Sequence, residues 1–174
     1  MRGREPGLIV TTLLCAVLCW TSAAAASPGE GFFSVDGTRL DVRHVIALRV
    51  APESVDGVGD VYVYLSDVPL DAKAMVAAYV ESGYEEERAR EEADAAGGGF
   101  VKICVTSEGS ECMVYFHHHS GEQFRRGEIG EFSLEHNGPE RVSGRWKLEE
   151  VDVFGRIVEF DLHFDAPVVD ATKP

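Results

Sequence analysis

Apolar and polar residues alternate along much of the chain. Leu40, Val42, His44, Ile46, Leu48 and Val50 occupy every second position of one segment, with Arg39, Asp41, Arg43 and Arg49 between or beside them. A period of two predicts a strand with one buried and one mostly solvated face. The same pattern runs through Val142, Gly144, Trp146 and Leu148. It returns in Val158, Phe160, Leu162 and Phe164, which alternate with Glu159, Asp161 and His163. Shorter runs at 32–33, 61–65, 101–105, 112–116 and 129–134 complete the set. Asp36-Gly37 and Asn137-Gly138 predict tight reversals, because Asp, Asn and Gly tolerate the positive φ that hairpin turns need. The stretch 107–110 should join the two strands around it.

One helix interrupts the strands. Asp71 is a natural N-cap, and Met75, Val76, Tyr79, Val80 and Tyr84 recur at helical spacing on one face. The acidic run at 85–94 either prolongs that helix with a solvated face or frays, and Gly97-Gly98-Gly99 ends it. Residues 120–127 read as a loop, and the tail from Pro167 reads as loose. These elements predict a mainly β fold, an antiparallel β-sandwich or partly closed barrel of about eight strands with one inserted helix.

The N-terminus has a different character. Arg2 and Arg4 precede an apolar stretch at 8–20, and Ala23, Ala24, Ala25 and Ala26 follow it. A basic start, a short apolar segment and a small-residue end predict a secretory signal peptide over 1–26, leaving one domain over 27–174. The apolar run falls short of the ~20 residues of a comfortable membrane span, so no retained transmembrane segment is expected. A signal anchor is the alternative; lipidation at Cys15 or Cys19 is disfavoured by the Leu before each. The expected location is secreted or periplasmic.

Charge narrows the partners. Lys plus Arg number 16 against 30 Asp plus Glu, a formal net charge of -14. Nucleic-acid affinity rests on cations neutralising phosphates, so nucleic acid is excluded as an expected partner. The 45% apolar fraction excludes wholesale disorder.

Loss of the leader would leave Cys104 and Cys112 as the remaining cysteines, an even pair suited to an oxidising compartment. They flank the 107–110 turn, which predicts a disulfide in a ladder setting 104 opposite 112, Ile103 opposite Met113 and Val101 opposite Tyr115. His117 and His119 form an H-x-H pair whose side chains should share one strand face, ~7 Å apart. Such a pair supplies two ligands for Zn or Cu, with His136, His163 or Glu122 as third. The alternative is an exposed strand end with solvated imidazoles. His44 reads as a core histidine, and His163 as an outward-facing one. No G-x-S-x-G is present, and Ser110, Ser133 and Ser143 lack a nucleophile's local signature, so no catalytic residues are assigned.

Two stretches resemble a loose group of small secreted bacterial proteins of unknown function. One is Gly31-Phe32-Phe33-Ser34-Val35-Asp36-Gly37-Thr38-Arg39-Leu40, continuing to His44 and Ala47. The other is Val142-Ser143-Gly144-Arg145 with the closing Phe164-Asp165-Ala166-Pro167. The valine-rich strand ending at Asp67 fits the middle of the same pattern. The resemblance implies a secreted β-rich domain and transfers no catalytic residues. The expected function is a non-catalytic binding or structural module meeting an envelope or extracellular protein or ligand. The alternatives are a metal-binding protein centred on His117 and His119 and, more weakly, an envelope hydrolase.

Overall fold

The computed structural model describes residues 27–52 and 59–172; the expected leader at 1–26 lies outside them. In chain order the elements are β1 (Ser27–Pro28), β2 (Glu30–Val35), β3 (Thr38–Asp41), β4 (His44–Arg49), β5 (Val61–Ser66), α1 (Ala72–Ser82), α2 (Glu85–Ala96), β6 (Gly99–Val105), β7 (Glu111–His118), β8 (Gln123–Arg126), β9 (Glu131–Asn137), β10 (Arg141–Val153) and β11 (Arg156–Asp170). The strands make a mainly β fold, a curled sheet closed to a half-barrel in the order β3-β2-β11-β4-β5-β6-β7-β8. β10 runs beside β11, β9 beside β10, and β1 beside β4.

The fifteen-residue β11 joins the two halves of the curl. Its first part pairs antiparallel with β2, and Val168, Val169 and Asp170 then pair parallel with Ala47, Leu48 and Arg49. The sheet is therefore mixed rather than wholly antiparallel. Pro167 lies where β11 changes neighbours, a position where a residue without an N–H is tolerated. The expected loose tail is instead a strand, and Ala171 N–H donates to the Arg49 carbonyl at 3.0 Å.

The alternating segment at 40–50 is not one strand. It breaks at Val42-Arg43, so that Leu40 in β3 lies beside Phe33 while β4 joins β5. β4 is buried on both faces: Val45 and Ala47 face the half-barrel core, and Ile46 and Leu48 face the helices. His44, at the start of β4, is only partly buried and is not a core residue. Gln123–Arg126, expected in a loop, pairs with β7 as β8.

Two hydrophobic clusters follow from this layering. Inside the curl, Phe33 stacks between Phe116 and Phe160 with ring centroids 5.0 and 4.9 Å away, tying the two halves together. Trp146 is fully buried there, and its indole N–H donates to the Ile129 carbonyl at 2.6 Å. On the convex face, Tyr64, Phe100 and Tyr115 pack beneath the helices with Met75, Ala89 and Ala93.

The single expected helix is two. Asp71 caps α1, its carboxylate accepting from the Lys73 and Ala74 amides. Gly83, at φ 76°, then stops α1 in the left-handed conformation that suits glycine. The turn leaves Val80 and Tyr84 exposed rather than on the packed face. α2 continues to Ala96. Glu87, Glu91 and Asp94 are exposed, but Glu85, Ala89 and Ala93, four apart, are buried. The two alanines let the helix lie close to β6 and β7.

Candidate functional site

Two reversals share one backbone solution. Asp36-Gly37 links β2 to β3 with φ values of 47° and 84°, and Phe154-Gly155 links β10 to β11 with 56° and 82°. Two-residue hairpin loops with both central φ positive favour Asn or Asp followed by Gly. Phe154 breaks that preference, and its φ is unfavourable for a bulky side chain. Its ring is not buried in exchange: the residue is 83% exposed, with Val151 and Ile157 partly exposed nearby. The Arg126 guanidinium lies 4.5 Å from the ring centroid.

The backbone under this tip is held firmly. Gly155 N–H donates to Asp152 Oδ1 at 2.5 Å. Asp36 N–H donates to the Ile157 carbonyl at 2.8 Å, and Ile157 N–H returns a bond to Asp36 Oδ1 at 2.8 Å. Arg156 donates to Asp36 and to Glu122, so three turns at one end of the half-barrel are stapled together. The Ile157 amide, followed by the Arg156 guanidinium, holds the Asp36 carboxyl below its ordinary range. The result is a rigid hairpin carrying an aromatic ring into solvent. Sequence reading assigned nothing to Phe154. Its signal was present, a Phe-Gly pair between the alternating strands, but Phe is not a recognised turn former.

The disulfide joins Cys104 and Cys112, with Cα atoms 5.3 Å apart. The ladder around it differs from the expected one. Cys104 faces Met113, Ile103 faces Val114 and Val101 faces Phe116, because a bulge lies between the Cys104/Met113 and Val105/Glu111 pairs. Regular alternation from Met113 would turn Cys112 to the opposite face from Cys104. The extra residue re-aims it.

The histidines are not brought together. His117 is buried beneath α2, with Nε2 2.8 Å from Asp94 Oδ1 and Phe100 against its ring. His119 lies past the end of β7, its Nδ1 3.3 Å from the Gly98 carbonyl oxygen. Glu122 is paired with Arg156, and His163 Nε2 lies 3.1 Å from Asp161 Oδ1 on the outer face. Among the described residues, neither His117 nor His119 belongs to a group of three ligand atoms close enough to share an ion. The pair instead lies at the C-terminal end of α2, where the imidazoles meet Asp94 and the Gly98 carbonyl, which also accepts the His119 amide at 2.9 Å. His118 Nδ1 and Ser120 Oγ, 2.9 Å apart, belong to the local turn.

Between helix and sheet lies a buried ion cluster. Lys102 Nζ is 2.9 Å from Glu85 Oε1 and 3.2 Å from Glu86 Oε2, and Tyr64 donates to Glu85 at 3.1 Å. Burial first, and the Glu85 charge second, push the Tyr64 hydroxyl well above its usual range. Arg125 closes the cluster from the edge through Glu86 at 3.0 Å. No helix among the described residues is long and apolar enough to cross a membrane. Comparison with protein families, with curated proteins and with solved structures finds no match for this chain.

Proposed function

We propose that the chain is a secreted or periplasmic, non-catalytic binding module whose contact point is the β10–β11 hairpin tip. The observation that carries this reading is Phe154, a solvent-facing ring on a strained turn that a more favourable residue would also close. Strain and exposure each oppose stability, and they coincide where the surrounding turns are most heavily braced. Such strain is characteristic of positions kept for contact with something else. Exposed aromatics are also the residues most often found as anchors of protein interfaces. Ile157, exposed on the strand that leaves the turn, adds apolar area, and the Arg126 guanidinium against the ring sets positive charge beside it on an otherwise acidic protein. The partner class is an envelope or extracellular protein.

Affinity capture from envelope extract, run in parallel with the native chain and with Phe154→Ser/Ile157→Ser, tests the reading. A species retained by the native chain and lost with the double variant is the expected outcome. Identical retention by both would place the contact elsewhere.

A further inference from the structure

We propose that reduction of the Cys104–Cys112 disulfide opens a divalent-metal site made of both thiolates and the Asp60 carboxylate. A ligand atom from each of these residues lies within 4.8 Å of the other two, a gathering that includes no histidine. Strands β6 and β7 and the residue just before β5 supply it. Cys104 on β6 faces Tyr62 on β5, and Asp60 precedes Tyr62 by two residues, on the same side and diagonal to Cys104. Cys112 arrives from β7 through the bulge. The Asp60 carboxylate is already oriented, accepting the Ser107 amide at 3.2 Å, and its backbone carbonyl is fixed by Val50 N–H at 3.0 Å.

In the disulfide form both sulfurs are committed to each other and the site is closed. An external dithiol opens it by transferring two electrons and two protons to the disulfide, leaving as its own disulfide while Cys104 and Cys112 become thiols. Binding of a divalent ion then releases both thiol protons. Two thiolates, one carboxylate and a water complete a four-coordinate shell of the kind zinc takes. Thiolate ligands disfavour Mg²⁺ and Ca²⁺, and the hard carboxylate disfavours Cu(I), so the donor set selects zinc-like ions. With Zn–S bonds of about 2.3 Å the sulfurs must separate to roughly 3.8 Å. Cys112 lies in an irregular part of the ladder and is only partly buried, which gives it room to move.

Cobalt titration of the full chain, reduced with a dithiol and desalted without oxygen, tests this. Thiolate-to-cobalt charge transfer and tetrahedral ligand-field bands should saturate at one ion per chain and vanish on adding zinc. The oxidised chain and Cys104→Ser should show neither. Asp60→Ala should weaken binding by about tenfold or more, since loss of even an outer-shell group costs about that much. Circular dichroism of the reduced chain should stay native, because the fold is what gathers the three ligands. Unfolding on reduction, no charge-transfer band, or the same affinity in Asp60→Ala would each overturn the proposal.

Discussion

Asp36 and Phe154 hold the same backbone position in two neighbouring turns, each the first of two positive-φ residues and each followed by glycine. Asp36 uses its carboxylate to bond Arg156 and the Ile157 amide, so its side chain serves the fold. Phe154 sets its ring against the Arg126 guanidinium and otherwise faces water. Replacing Phe154 with Asn should therefore separate stability from binding. Asn enters the left-handed region readily, relieving strain of about 1 kcal/mol. The variant should need more denaturant to unfold while losing the partner. A drop in its urea midpoint would show that the ring supports the hairpin instead.

The pair formed by Lys102 and Glu85 is buried on both sides, with side chains 7% and 3% exposed. Removing Lys102 leaves Glu85 buried and charged without a cation, at a cost of about 3–5 kcal/mol, whereas removing Glu85 leaves Lys102 with Glu86 at 3.2 Å. Lys102→Met should therefore destabilise by that order in chemical denaturation, and Glu85→Leu by less. The double variant should recover much of the loss, because no orphan charge remains. Additive losses would mean that the two residues act independently.

His118 gives a signed pH dependence. Burial, then the charges of His119 and His117, lower its pKa below the ordinary value near 6.5. The folded chain thus binds this proton less tightly than the unfolded chain. Its contribution to stability is complete above about pH 6.5 and is lost as pH falls through the lowered folded value. Replacing His118 with Gln should flatten the decline in urea midpoint on acidification below pH 6.5. An unchanged slope would assign that decline to other groups.

Reducing or removing the Cys104–Cys112 bond opens a link with a sequence separation of 8. Closing so short a loop contributes about 2–3 kcal/mol by chain entropy. Cys104→Ser/Cys112→Ser should lower stability by that amount. The native chain, isolated without reductant, should weigh two hydrogens less than its reduced form, and neither cysteine should accept an alkylating reagent before reduction. Labelling without reductant would place the chain in a reducing compartment.

Much of the fold was legible because curled sheets alternate and hairpins advertise themselves. Trp146 and Phe160 face the core that alternation assigned them, and Asp36-Gly37 turns where its residue types require. The failures have physical causes. Val45 to Leu48 are buried on both faces because helices cover the convex side, and alternation cannot register two buried faces. Glu85 reads as solvated until Lys102, 17 residues later, supplies a buried partner. His117 and His119 read as a ligand pair only while β7 is taken as continuing, whereas it ends at His118. The disulfide partners were readable from cysteine number and the turn between them. The bulge that orients Cys112 was not, because nothing in 110–113 marks the extra residue. Phe154 escaped notice because its significance lies in a φ angle and an exposure, neither of which composition carries.

The hairpin tip is tested most directly by a photo-activated aromatic side chain placed at residue 154 in the cell that produces the chain. A second chain carrying the same group at Ser133, exposed on β9, serves as reference. Irradiation should give one discrete heavier adduct from position 154 and none from position 133. No adduct from 154, or equal adducts from both positions, would contradict the assignment of the β10–β11 tip as the binding surface.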